Sequence, residues 1–173
     1  PHAVGAVSGL LTFFARKPVS PLLSWSFTMP EITSVDPRGL RFVASATAAT
    51  LALVLVAPTN LQIALLSFQT LLFGLGAFVS LQASPWSWLF RTFVRPRIGA
   101  PTETEDSRPP RFAQLVGFVF AAIGLVAFVV GATTVGLIAV AFAFAAALLN
   151  ATTGFCLGCE MYLTTRRLAK QLA

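Results

Sequence analysis

Four apolar runs, at 42–57, 61–83, 112–131 and 135–153, dominate this chain, and none of them contains an Asp, Glu, Lys or Arg. A helix rises about 1.5 Å per residue and must cross roughly 30 Å of hydrocarbon, so the second, third and fourth runs are long enough to span a bilayer. The first is slightly short, which membrane thinning or helical continuation at its ends would absorb. With 56% apolar and 10% charged residues overall, the solvent for this chain is lipid. The links at 58–60 and 132–134 leave room only for tight helical hairpins. The expected fold is an all-α integral membrane protein, a four-transmembrane-helix bundle made of two hairpins with short interfacial helices.

Charge sets the expected orientation. All twelve Lys and Arg lie before residue 42, between the second and third runs, or after residue 153, and the two hairpin tips carry no charge. By the positive-inside rule both termini and the long loop face the cytoplasm. The net charge of +6 then reads as topology plus attraction to anionic headgroups of the bilayer. Basic residues spread around a membrane edge form no groove, and no base-reading module is present, so nucleic acid is not an expected partner. No removable signal peptide is recognisable, and the missing initiator Met suggests a start further upstream.

The hairpins resemble copies of each other. Asp36-Pro37-Arg38-Gly39-Leu40-Arg41-Phe42 leads into the first run, and Asp106-Ser107-Arg108-Pro109-Pro110-Arg111-Phe112 into the third, with Asp, both Arg and Phe at matching offsets. A parallel repeat predicts a pseudo-twofold axis along the membrane normal. It divides the chain into an N-terminal arm at 1–35 and a membrane domain at 36–173, with hairpins at 36–98 and 106–173. Asp36 and Asp106 are expected to pair with Arg38, Arg41, Arg108 and Arg111 and to cap the first turns. The alternative is that Arg at a membrane entrance only obeys the charge rule.

Cys156 and Cys159, in Phe155-Cys156-Leu157-Gly158-Cys159-Glu160, are the only cysteines. Thr152-Thr153-Gly154 just before them is a plausible break in the fourth helix. With that break, Cys156 starts a fresh helix whose N-terminal dipole favours a thiolate, and Cys159 lies one turn on. Without it, the dipole opposes ionisation, as Glu160 does in either case. Shifting the second copy by two residues sets Ser84 against Cys156 and Ser87 against Cys159. Ser84-Pro85 opens a short interfacial helix, with Trp86, Trp88, Phe90 and Phe93 as headgroup anchors. Gly158 is expected to keep the cysteine turn open.

A pair of this kind can exchange disulfides, carry sulfur, supply half a metal site or simply pack. A reducing cytoplasm disfavours a permanent structural disulfide. Zinc takes four ligands in a closed site, and His2 is remote, so a metal would require four thiolates shared across a symmetric homodimer. No metal and no cofactor is expected for a single chain.

Other polar groups are sparse. Gln62 and Gln69, seven residues apart on one helix face, and Asn150 are expected to face the bundle interior and bond helix to helix. The absence of charge within the runs argues against a proton relay. Only Asn150, Gln114 and Tyr162 offer polar groups that a quinone near the cysteines would need. Gly117, Gly124 and Gly131 form a seam for close helix approach. Residues 2–15 read as an interfacial helix ahead of an extended arm, and 99–108 as a mobile linker.

These motifs together, with Val94-Arg95-Pro96-Arg97, Pro110-Arg111-Phe112-Ala113-Gln114 and Gly154-Phe155-Cys156-Leu157-Gly158-Cys159-Glu160-Met161-Tyr162, resemble the bacterial membrane family catalogued as domain of unknown function 4395. The resemblance covers roughly 35–168. It implies four transmembrane helices, an actinobacterial setting, and genes for thioredoxin-like and thiosulfate sulfurtransferase proteins nearby. Two functions follow as expectations. In one, Cys156 attacks or accepts sulfur, Cys159 resolves, and a thioredoxin-like protein or sulfurtransferase docks on the cytoplasmic face. In the other, the chain is a non-catalytic accessory subunit of a larger membrane complex and the cysteines are passive.

Overall fold

A computed structural model describes residues 34–171. The expectations for the interfacial helix and arm at the N-terminus lie outside the described residues. Helix α1, Pro37–Val56, begins well before its apolar run because the entrance is capped. Asp36 Oδ1 accepts the Arg38 backbone N–H at 3.0 Å, and Pro37 occupies the first turn, where a missing N–H costs nothing. Its 20 residues reach about 30 Å, which removes the shortfall expected of the first run.

Pro58 ends α1 and creates a debt at the hairpin tip. Having no N–H, it cannot serve the Val54 carbonyl four residues back, and Gln62 Nε2 from the next helix donates to that oxygen at 3.0 Å. Replacing Gln62 with leucine should therefore orphan a buried carbonyl and cost roughly 1–3 kcal/mol. Thermal unfolding in detergent checks this: an unchanged midpoint would mean that Val54 has another donor.

Helix α2, Thr59–Gly74, widens into a π-helical stretch, Leu75–Val79, and ends at Ser80. A 3-10 turn, Leu81–Ala83, then leads to α3, Pro85–Leu89, a second π stretch, Phe90–Val94, and α4, Arg95–Ile98. Helix α5 covers Arg108–Val129, with Pro109 and Pro110 in its first turn, and α6 covers Thr133–Thr153. Helix α7, Leu157–Gln171, completes the described chain. The four long helices are each long and apolar enough to cross a membrane, so this is a multi-pass membrane protein. Their outward faces expose Leu53, Phe68, Leu71, Ile123, Val126 and Ile138, as a lipid solvent requires.

The spans form a square in which α1 lies between α2 and α6, and α5 lies between the same two. Leu51, Val54, Leu66, Phe73, Ala121, Phe128 and Val140 fill the centre. Gly117 and Gly124 allow this approach: a Cβ on Gly117 would meet the Phe73 ring at 2.6 Å, and one on Gly124 would meet Leu66 and Val140 at 3.2 Å. Gly131, the third member of the expected seam, faces open space at φ 82° and serves the turn into α6 instead.

The helix entrances are tied together. Strands β1, Ser34–Val35, and β2, Glu105–Asp106, pair antiparallel with Val35 opposite Glu105. Arg38 forms an ion pair with Asp36 at 3.3 Å and donates to the carbonyls of Ile98 and Gly99. The segment at 99–108, read as a mobile linker, is thus held at both ends. Phe90, read as a headgroup anchor, is buried against the Cβ-free face of Gly39 and lies 5.7 Å from the Phe42 ring. Trp88 and Phe93 do stay exposed, edge to face on each other.

Candidate functional site

The cysteine turn is built by a helix stop followed at once by a helix start. Gly154 adopts φ 77°, and its N–H donates to the Asn150 carbonyl, closing α6 with a left-handed cap. Thr153 Oγ1 accepts the Phe155 N–H at 3.1 Å, so the chain leaves the helix with its first free amide satisfied. Cys156 then caps α7: its carbonyl accepts the Glu160 N–H at 3.1 Å and its Sγ accepts the Cys159 N–H at 3.3 Å. The two cysteines are joined in a disulfide, with Cα atoms 5.2 Å apart, and both are half-buried.

Two contacts fix this turn against the bundle. Gly158 lies directly on α5, where a Cβ would stand 2.6 Å from both Cα and Cβ of Ala113. Its lack of a side chain thus serves close packing more than an open turn. Arg41 reaches across from α1 to donate to the carbonyls of Thr152, at 3.0 Å, and Ala151, at 3.4 Å, the orphan acceptors at the end of α6. Tyr162 packs its ring 5.8 Å from Phe112, with the Arg166 guanidinium over its other side.

The first hairpin shows the corresponding contacts. Arg111 on α5 donates to the Ala77 carbonyl at the end of α2, at 3.1 Å and 3.4 Å. Ser84 caps α3 by accepting the Trp86 N–H at 3.3 Å, and Ser87 Oγ donates to the Leu81 carbonyl at 2.7 Å. Asp106 Oδ1 accepts the Arg108 N–H at 3.0 Å, as Asp36 does for Arg38. Asp106 makes no ion pair with Arg108 or Arg111 among the described residues, contrary to expectation. Arg111 is drawn instead to the uncapped carbonyl of Ala77, and Asp106 is exposed in β2.

A cavity of about 290 Å³ opens from the cysteine turn into the bundle. Cys156 and Cys159 line its outer part together with Ser84, Ser87 and Arg41, and Gln69, Phe73 and Phe142 line its inner part. Asn150 and Gln114, singled out from sequence, face it too, whereas Tyr162 does not line it. Gln69, expected to bond helix to helix, and Trp86, read as a headgroup anchor, line it as well. Gln69 is 1% exposed, and among the described residues neither its Oε1 nor the buried Nε1 of Trp86 has a hydrogen-bond partner. Among the described residues no three His, Cys, Asp or Glu side chains cluster, so a metal would need ligands from elsewhere.

A family model described as Domain of unknown function (DUF4395) matches residues 35–167. The chain belongs to that family. Comparisons with curated proteins and with solved structures find no match. The DUF4395 match takes in all four spans, the cysteine turn and most of α7, and leaves 1–34 outside it.

Proposed function

We infer that this member of the DUF4395 family is a membrane thiol protein whose Cys156–Cys159 pair exchanges between disulfide and dithiol with a thioredoxin-like or sulfurtransferase partner. The observation that carries this reading is the placement of both sulfurs in the first turn of α7, at the membrane edge and opening onto a cavity. Helix N-termini favour a thiolate, and the 15 residues of α7 are enough for a developed dipole. The Arg41 guanidinium, held on the last carbonyls of α6, adds positive charge beside the turn.

The exchange balances without any further reactant. A partner thiolate attacks Cys156 Sγ, the intramolecular S–S bond breaks, and Cys159 leaves as a thiolate that takes up a proton. The partner's second thiolate then attacks its own bridged sulfur, releasing Cys156 and leaving the partner oxidised. The same reading assigns α7, the loop at 99–108 and both termini to the cytoplasmic face of a bacterial plasma membrane, following the charge distribution. It also treats the hairpins as copies, a reading supported by Arg41 and Arg111, which each donate to carbonyls in the other hairpin, by Asp36 and Asp106, which each accept the N–H two residues on, and by the pairing of Val35 with its counterpart Glu105.

Differential alkylation with mass spectrometry in native membranes, before and after addition of a thioredoxin system, tests the function. A pair that converts between disulfide and dithiol, or that carries one extra sulfur, supports it. Thiols that react only after the protein is unfolded would sink it.

A further inference from the structure

We propose that the cavity binds the ring of a lipid-soluble quinone, which takes two electrons and two protons from the reduced cysteine pair. The electron-transfer half of this proposal rests on the thiol reading above; the binding half does not. Gln69 carries it. Ten residues into α2, this side chain lies about 15 Å from the hairpin tip, near the middle of the membrane. It is 1% exposed, faces the cavity, and its Oε1 has no partner among the described residues. Gln62, one heptad earlier, is accounted for by the carbonyl that Pro58 orphans, but nothing among the described residues accounts for Gln69. A second unpartnered polar group on the wall, the Trp86 Nε1–H, is a donor only.

The rest of the lining selects among ligands. Phe73, Phe120 and Phe142 are on the wall, and the charged side chains there among the described residues, Arg41 and Glu105, belong to the helix entrance and to β2 rather than to the depth of Gln69. An uncharged, flat, apolar molecule with polar groups on its edge fits such a space, and an anion does not. The volume lies near the lower end for small-molecule pockets, roughly 300–1,000 Å³. Filling it with water instead would take about ten molecules at roughly 30 Å³ each, most of them facing apolar walls.

A quinone satisfies both orphan groups once their side chains turn toward the cavity, because neither atom is open to it as the structure stands. Its carbonyl oxygens accept from the Trp86 N–H, and the Gln69 amide, carrying a donor and an acceptor, can bond to a quinone carbonyl or to a hydroquinone hydroxyl. The reaction is closed: two S–H bonds break, the Cys156–Cys159 bond forms, and the two electrons and two protons reduce the quinone to a hydroquinone.

The test uses the full chain in lipid nanodiscs and duroquinone, whose ring has no free position for thiol addition. Binding is measured by equilibrium dialysis on the Cys156→Ser/Cys159→Ser protein, which cannot react. Hydroquinone formation is followed on the reduced wild-type protein. We expect saturable binding of one quinone per chain, weakened at least tenfold by Gln69→Leu and by the space-filling Ala146→Leu. One hydroquinone should form per disulfide. Because Gln69 has no partner among the described residues, Gln69→Leu should melt no lower than wild type, and a lower melting point would overturn its assignment to a ligand. Non-saturable binding, or equal binding by both variants, would also overturn the proposal. A pair that fails to exchange with thioredoxin while Gln69-dependent binding persists would overturn the thiol reading and leave the quinone site standing.

Discussion

A reduced Cys159→Ser protein is expected to accumulate a stable mixed disulfide through Cys156, while the reduced wild-type protein passes through the same species and releases its partner. The reason is positional. Cys156 caps α7 and receives the Cys159 N–H on its sulfur, so a thiolate there keeps a hydrogen bond and the helix dipole. Cys159 is held one turn on, 5.2 Å away between Cα atoms, close enough for its thiolate to displace a partner from Cys156. A suitable reporter is a thioredoxin-like protein stripped of its own resolving cysteine, with the remaining thiol carried as a mixed disulfide with thionitrobenzoate. Attack by Cys156 releases the coloured leaving group and bridges the two proteins. In the wild-type protein Cys159 then closes the intramolecular disulfide and frees the partner thiol. Intramolecular attack at such a distance has a large effective concentration, so the bridged species should persist at least about a hundredfold longer in Cys159→Ser. Cys156→Ser should bridge far more slowly. Equal lifetimes in Cys159→Ser and wild type, read on non-reducing gels, would remove Cys159 from the resolving role.

Legibility of the sequence followed the length scale of each feature. The spans were readable because a lipid solvent demands long uncharged runs, and a helix covers every one. Their ends were not, since caps work by single residues: Asp36 and Pro37 carry α1 back into the charged entrance, and Gly74 releases α2 into a π stretch well before its apolar run stops. The break at Gly154 could be read because Thr-Thr-Gly offers both a side-chain acceptor and a left-handed residue. Phe90 and Trp88 look alike in sequence, and their different burial depends on the space that Gly39 leaves beside α1. Gln62 and Gln69 share a helix face, yet only one lies within reach of a carbonyl deprived of its donor by proline. Which buried amide remains for a ligand is a question about three-dimensional neighbours, and spacing alone does not answer it.

Gly158→Ala is expected to destabilise the protein and to loosen the cysteine turn together, because one backbone contact serves both. In a first helical turn, alanine ordinarily improves on glycine by up to about 1 kcal/mol. Here the new methyl group would lie 2.6 Å from Cα and Cβ of Ala113, and a main-chain atom in the second turn of α5 cannot swing aside as a side-chain tip can. Helix α7 must therefore lift off α5, at a cost of roughly 1–3 kcal/mol for overpacking. The displacement also separates Cys156 from the bundle edge that half-buries it, so alkylation of the reduced pair should speed up as the melting point falls. Gly74→Ala supplies the contrast: its Cβ would meet only the Phe118 ring, at an ordinary 3.4 Å, and should leave both readouts near wild type. Adding Ala113→Gly to Gly158→Ala removes one of the two clashing atoms and should restore part of each loss. If Gly158→Ala instead melts at or above wild type, the approach of α7 to α5 is looser than the geometry requires, and the cysteine turn is held by its Gly154 stop and the Arg41 contact alone.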